Sequence, residues 1–367
     1  MESVKVNLKR KEDNSYDIII GNNILNDIPS ELTKRGLAHS YVIITDSNVS
    51  TVYGNKLLAS FRRAKLNTHL ISFPAGEKNK NRGTKVLIEN EMMKLRLSRD
   101  TAVIALGGGV VGDVAGFVAA TYNRGIPYIQ IPTTLVACVD SSIGGKTGVD
   151  TPYGKNLIGS FHQPSRVYID VQTLFTLEKK EVRQGLAEVI KYGVIKDEKF
   201  FRYLENYIYQ VFAFNFEILV QIIKKCCRIK GKIVEIDERE SNLRKILNFG
   251  HTIGHAIEQL YNYKISHGEA ISIGMILEGK IALKIGLWKL DEFERLNILL
   301  KKAGLPTSLP SRINVKRLIN IMRLDKKTRG GIIEMVLPRR IGEMSEINGK
   351  YGIKVDERLI TNLFGNV

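Results

Sequence analysis

The stretch Thr101-Ala102-Val103-Ile104-Ala105-Leu106-Gly107-Gly108-Gly109-Val110-Val111-Gly112-Asp113 decides the fold. Thr101 to Leu106 reads as a short buried strand, and it runs through a glycine-rich turn into an apolar helix, Val114 to Tyr122. Gly107, Gly109 and Gly112 match G-x-G-x-x-G after a strand and before a helix. In that context the absence of side chains lets backbone amides approach a pyrophosphate at a helix N-terminus. The acidic residue expected about 20 positions on, at a second strand end, is absent, since that region reads Tyr128-Ile129-Gln130-Ile131-Pro132-Thr133-Thr134. The reading is a nucleotide-binding α/β domain of non-standard design; a tight glycine turn with no ligand is the plainer alternative.

Outward from this stretch, Tyr41 to Asp46 and Thr68 to Phe73 read as further buried strands, and Arg82 to Arg96 as a helix. Strands alternating with helices imply a mostly parallel sheet. From about Lys179 long helical patterns take over through Leu290, including Phe200 to Phe212 and Glu217 to Val234. The expected organisation is an α/β domain over 1–178 and a mainly α-helical domain over 179–367, with the active site in the cleft between them. Asp140-Ser141-Ser142-Ile143-Gly144-Gly145-Lys146-Thr147 ends like a P-loop but carries Asp140 where that loop needs glycine, which argues against an ATPase. With Gly154-Lys155-Asn156-Leu157-Ile158-Gly159 it offers lysines in glycine-rich turns. Such turns suit a bound phosphate or carboxylate, although a solvated surface turn is the default for either one alone.

A chain of 367 residues with 44% hydrophobic content is long enough for two domains and a sizeable core. No apolar run reaches the roughly 18 residues of a membrane span. The start, Met1-Glu2-Ser3-Val4-Lys5, lacks a signal peptide's hydrophobic segment, so the expected location is the cytoplasm. Cys138, Cys226 and Cys227 have no framework spacing, in keeping with a reducing compartment. The net charge of +17 raises nucleic-acid binding, but the lysines are dispersed and no recognised nucleic-acid module is present, which favours a compositional bias.

Asn248-Phe249-Gly250-His251-Thr252-Ile253-Gly254-His255 and His267-Gly268-Glu269 bring together three of the chain's 6 histidines. His251 and His255 are four apart and share one helical face, which can hold a metal and a proton relay. In Gly185-Leu186-Ala187-Glu188-Val189-Ile190-Lys191-Tyr192-Gly193, Glu188 and Lys191 share a face as well, and Glu188 offers an anionic third ligand. Two histidines and a glutamate with open positions compose a catalytic zinc site, whereas a closed structural site would need four ligands that the cysteines cannot supply. Satisfied core or surface histidines are the alternative.

Taken together these segments resemble the 3-dehydroquinate synthase family, from about Thr45 to Lys354. The markers also include Ala75-Gly76-Glu77-Lys78-Asn79-Lys80, Pro132-Thr133-Thr134 and Asp325-Lys326-Lys327. The resemblance implies NAD and one divalent metal, zinc or cobalt. It also implies a substrate, 3-deoxy-D-arabino-heptulosonate 7-phosphate, that loses phosphate and closes to 3-dehydroquinate after a transient oxidation. Glu188, His251 and His267 match the family's metal ligands and His255 its proton-transfer residue. Glu240 matches an acid–base residue, and Lys146, Lys191, Arg244 and Asn248 complete the catalytic set. Arg124, Asp140, Lys146, Asn156, Lys191, Lys230, Arg244, Asn248 and Lys326 match substrate contacts. For NAD the matching positions are Asp46, Glu77, Lys80, Gly109, Val110, Val111, Gly112 and Asp113, then Thr133, Thr134, Lys146, Lys155, Thr173 and Thr176. The pattern departs at Glu178 and Lys179, where Leu-Pro is commoner, and at Thr173, which replaces a larger residue.

The resemblance also implies a small-molecule substrate and a homodimer, with neither nucleic acid nor membrane as partner. The nearest rival is a sister sugar phosphate cyclase such as 2-deoxy-scyllo-inosose synthase. Arg244, Asn248 and His255 favour a carboxylate-bearing substrate. A metal-dependent dehydrogenase of the glycerol dehydrogenase type lies further off, and phosphate release without accumulation of NADH separates it.

Overall fold

In this computed structural model, residues 13–310, 313–324 and 332–364 are described, and Lys326 lies outside them. The first half is built on β1 (Asp17–Gly21), β2 (Ser40–Asp46), β3 (Asn67–Phe73), β4 (Thr101–Gly107) and β5 (Tyr128–Pro132). It continues through a hairpin of β6 (Lys146–Thr151) and β7 (Gly154–Phe161) to β8 (Arg166–Asp170). Six of these strands form one all-parallel sheet in the order β1-β8-β5-β4-β2-β3. Side chains alternate between its faces, so Val42, Ile44, Val103 and Ala105 enter one core with the Gly109–Thr121 helix. Tyr41, Ile43, Ala102 and Ile104 enter another with Leu57 and Phe61 of the Asn55–Arg63 helix. Burial on both faces explains why these strands read as continuous apolar runs rather than alternating ones.

The strand order reverses between β2 and β4, since β3 lies on one side of β2 and β4 on the other. Open α/β sheets bind ligands at the carboxyl ends of the strands flanking such a switch point. Here those ends are Asp46 and Gly107. The acidic residue missing downstream of the glycine loop thus has a counterpart upstream, on the strand that pairs with β4.

The turns expected at Asp140–Thr147 and Gly154–Gly159 are turns only in part. Gly144 and Gly145 take positive φ, but Lys146 opens β6 and Gly154 to Gly159 lie in β7. Gly148 and Gly159 face each other in register, and a Cβ on Gly148 would stand 2.6 Å from the Ile158 carbonyl oxygen. Glycine here lets two strands approach closely rather than turn.

From Lys179 the chain is mainly helical around one large core, with helices Lys179–Lys196, Glu198–Phe212, Phe216–Ile236, His251–Leu260 and His267–Lys284 nearest the site. Two short ribbons, Glu334–Met335 with Ile353–Lys354 and Pro338–Arg340 with Glu343–Met344, interrupt the helical character near the end. The His251–Leu260 helix begins at Gly250, which has φ +80° and no side chain to cap the free amides. Buried Glu278 of the next helix does so instead, accepting from Gly250 N at 2.7 Å and Ile253 N at 3.1 Å.

Candidate metal and substrate site

Three helices converge on one point. Glu188 lies mid-way along Lys179–Lys196, His251 opens its helix, and His267 opens the next. Glu188 Oε1 stands 3.3 Å from His251 Nε2 and 3.3 Å from His267 Nε2. Glu188 Oε2 pairs with Lys191, three residues along the same buried helix face. Burial opposes the charge on Glu188, but the charge of Lys191 outweighs it and holds the carboxyl well below its usual range.

The donor set fits a cation. His251 Nδ1 sits 3.1 Å from the Phe249 carbonyl oxygen, which accepts the ring proton there and leaves Nε2 bare toward a carboxylate. Burial, followed by the charge of Lys191, pushes His251 down to about 3, so the ring stays neutral and two acceptors face each other. One potential ligand atom from each of Glu188, His251 and His267 lies within 4.8 Å of the others, a grouping that a divalent ion would satisfy. His267 behaves differently: burial works against its charge, yet hydrogen bonds to Glu188 and Glu258 raise it to about 10.

His255 extends the cluster. Its ring centroid lies 5.2 Å from that of His251 and 5.9 Å from that of His267. The residue that sequence reading passed over is Glu258, one turn beyond His255 and buried at 2% exposure. Its carboxylate accepts from Lys155 Nζ at 3.1 Å and lies 3.5 Å from His267 Nδ1. A glutamate before a glutamine near a helix end looks like a solvated pair; its position three after His255, on the same face, was the available signal.

Beside the trio runs a chain of fixed cations. Lys230 Nζ donates to Asp140 O at 2.7 Å and to Asp140 Oδ1 at 2.8 Å, and Tyr192 donates to the same Oδ1 at 2.6 Å. Burial opposes the Asp140 charge, but Lys230 and Lys191 hold the carboxyl below its usual range. Lys146 pairs with Glu240, and Asn248 donates to the other oxygen of Glu240 at 2.5 Å. Burial of its amine end, with Arg244 nearby, lowers Lys146 to about 8 against the pull of Glu240, although 48% of the side chain is open. Arg244 is buried at 1% exposure, with its Nη groups turned onto the carbonyls of Glu238 and Gly144, leaving Nε without a partner among the described residues. Glu240, which in sequence resembled an exposed charged turn, takes φ +60°, a conformation that non-glycine residues hold at some cost and that clusters at functional sites.

The glycine loop forms a second cradle. The Gly109–Thr121 helix starts from Gly108 with no side-chain cap, so its first amides, including those of Gly109, Val110 and Val111, are left for a ligand to satisfy. Cβ atoms on Gly108 and Gly109 would stand 3.1 Å from Thr134 Cγ2 and 3.1 Å from Ser141 Oγ. Thr133 N donates to Gly107 O at 2.9 Å and Thr134 Oγ1 accepts from Ala137 N at 3.2 Å, which fixes the wall of the loop. Asp113, one turn past Gly109, pairs with buried Lys80 at 2.6 Å, and Lys80 reaches Asn156 Oδ1 at 2.5 Å. Lys155 lies 3.2 Å from Glu77. Asp46 caps the turn after β2 through Asn48 N and Val49 N.

Not every expected residue joins these clusters. Thr176 bonds the Tyr53 hydroxyl at 2.9 Å, and Thr173 is buried with its hydroxyl donated to Asp170 O at 2.8 Å. Arg124 is exposed at φ +68°, past the far end of the helix that starts at Gly109. A helix of that length spans about 20 Å.

A family model described as 3-dehydroquinate synthase N-terminal matches residues 70–184, and one described as 3-dehydroquinate synthase C-terminal matches residues 185–328. A 3-dehydroquinate synthase of Prochlorococcus marinus is 46% identical over 350 residues, covering 94% of each chain. That of Thermodesulfovibrio yellowstonii is 46% identical over 354 residues, covering 95% of this chain and 98% of its own. Among solved structures, a 2-epi-5-epi-valiolone synthase from Streptomyces hygroscopicus with NAD+ and Zn2+ bound superposes with TM-score 0.88 at 28% identity, covering 98% of this chain and 99% of that one. A 2-deoxy-scyllo-inosose synthase complexed with carbaglucose-6-phosphate, NAD+ and Co2+ gives TM-score 0.84 at 28% identity, covering 95% and 96%.

Proposed function

The chain belongs to the 3-dehydroquinate synthase family, and on that premise we propose that it converts 3-deoxy-D-arabino-heptulosonate 7-phosphate to 3-dehydroquinate and phosphate. Bound NAD supplies reversible oxidation of a substrate hydroxyl and a divalent zinc or cobalt ion supplies Lewis acidity, so that oxidation, phosphate elimination, re-reduction and aldol closure leave the cofactor unchanged.

The chain's own residues do the rest. Glu188, His251 and His267 hold the ion, and Lys191 keeps the Glu188 carboxylate charged and oriented. Lys146, Lys230 and Arg244 present positive charge to the phosphate and carboxylate of the substrate, with Asp140 and Glu240 fixing the two lysines before substrate arrives. Asn248 orients Glu240, whose carboxylate holds or gives up a proton. His255, one turn from His251 and partly exposed, moves a proton at Nε2. Asp46, Glu77, Lys80, Lys155 and the amides from Gly109 to Asp113 bind the dinucleotide at the switch point. The remaining family matches, Arg124, Asn156, Thr133, Thr134, Thr173, Thr176 and Lys326, belong to the same reading.

One observation carries it: a carboxylate and two imidazoles on three different helices aim ligand atoms at one point beside a line of buried cations. Purified protein given the heptulosonate phosphate, NAD and zinc or cobalt should release phosphate without accumulating NADH, and should ignore glucose 6-phosphate. Net NADH formation would make it a dehydrogenase, and turnover of glucose 6-phosphate would move it to a sister cyclase. A homodimer and a cytoplasmic location complete the proposal, and sedimentation would check the first. No helix among the described residues is long and apolar enough to cross a membrane.

A further inference from the structure

Glu258 has no part in the reaction proposed above, yet its buried carboxylate is the meeting point of the two clusters. Oε1 accepts from Lys155 Nζ at 3.1 Å. Oε2 lies 3.5 Å from His267 Nδ1 and 4.0 Å from His255 Nε2, and has no closer hydrogen-bond partner among the described residues. A buried carboxylate oxygen is costly without a donor, so the arrangement favours a proton on His267 Nδ1. Nε2 of the same ring, which faces Glu188 Oε1 at 3.3 Å, is then the nitrogen that would give up its proton to a metal. A carboxylate on the far nitrogen fixes the tautomer and ring orientation of a metal-binding histidine in this way.

The other end of the contact belongs to the hairpin. Lys155 stands on β7, next to Asn156, whose Oδ1 accepts from Lys80. Asp150 N of β6 donates to Lys80 O at 2.8 Å, and Lys80 pairs with Asp113 in the first turns of the helix that carries the glycine cradle. Lys155 also sits 4.7 Å from the Tyr263 ring centroid, just past the His251–Leu260 helix. The hairpin is thereby tied at one lysine to the His267 ring and at the next residue to the wall of the cradle.

We infer that Glu258 is a positioning residue that orients His267 for the metal and, through Lys155, ties that ring to the hairpin flanking the glycine cradle, so that metal and dinucleotide each favour the other's binding. This rests on the reading that Glu188, His251 and His267 hold the metal.

The test reads binding rather than turnover. Zinc affinity is measured by competition with a chromophoric chelator, and NAD affinity by calorimetry with and without zinc, in wild type, Glu258→Gln, Lys155→Met and His267→Ala. Glu258→Gln should lose about 10- to 100-fold in zinc affinity while keeping the wild-type circular dichroism spectrum. Zinc should raise NAD affinity about fivefold or more in wild type, with the reciprocal effect of NAD on zinc. Lys155→Met should hold zinc within about threefold of wild type yet lose that mutual enhancement. Wild-type zinc affinity in a folded Glu258→Gln protein overturns the positioning role. Absence of coupling in wild type, or its persistence in Lys155→Met, overturns the tie, and this arm stands even if Glu258→Gln fails to fold. Undiminished zinc affinity in His267→Ala would instead sink the metal reading beneath it.

Discussion

Replacing Asp140 with asparagine tests the line of buried cations most directly. Oδ1 of Asp140 accepts from Lys230 Nζ at 2.8 Å and from the Tyr192 hydroxyl at 2.6 Å, and both lysines near it, Lys230 and Lys191, are buried. Lys191 keeps Glu188 as a counter-charge, whereas Lys230 loses its own. Removing one partner of a buried pair costs about 3–5 kcal/mol, because a charge is left uncompensated. Asparagine keeps an acceptor for Tyr192, which places the expected loss toward the lower end. With an unfolding entropy of about 2.1 cal/mol/K per residue, the whole chain unfolding together would lose roughly 4–6 °C in Tm. The loss should also depend on pH. The Asp140 pKa is lowered on folding, so the carboxylate contributes stability that is full above the ordinary Asp range and fades as pH falls through the lowered value. Wild type and variant should therefore differ at neutral pH and converge in acid. An anion that reaches Lys230 replaces the missing charge, so millimolar phosphate should raise the variant's Tm more than the parent's. Thermal unfolding followed by circular dichroism, with and without phosphate, reads all three effects. A variant within about 1 kcal/mol of wild type at neutral pH, insensitive to phosphate, would refute the claim that Asp140 is the counter-ion of Lys230.

Lys146 is lowered to about 8, so its charge is lost as pH rises through that value and kcat/KM should fall on a basic limb near it. Lys146→Arg, which stays charged, should move that limb upward, and an unmoved limb would assign it to another group. Gly109→Val crowds Ser141 and blocks the amides of the cradle, so calorimetry should show NAD binding weakened about tenfold or more with zinc affinity kept; unchanged NAD affinity would remove the loop from the site. Arg244→Lys cannot replace both contacts to the Glu238 and Gly144 carbonyls, nor grip a carboxylate through two parallel bonds. A loss of about 2–5 kcal/mol corresponds to roughly 30- to several-thousand-fold in kcat/KM, and a variant as fast as its parent would place the substrate carboxylate elsewhere.

Local signals made much of this protein legible. The apolar run Thr101 to Leu106 entering Gly107 to Gly112 was readable as strand, turn and helix, because burial on both faces of a parallel sheet leaves a continuous hydrophobic signature. The i,i+4 spacing of His251 and His255 and the i,i+3 spacing of Glu188 and Lys191 specify shared helix faces, and those helices form where the spacing predicts. Tertiary structure decided what the faces meet. Glu188 and His267 are 79 positions apart, and nothing in either segment states that Oε1 and Nε2 will stand 3.3 Å from each other. Glu258 reads as a surface charge until its helix packs against the His267–Lys284 helix and its carboxylate is buried, and the hairpin reads as loose glycine turns until Gly148 and Gly159 pair. The switch point between β2 and β4 is a property of strand order, which periodicity does not carry. Periodicity reports which side of an element is buried; only packing between elements selects its partner, and the ligand set and the cation line are made of such partnerships.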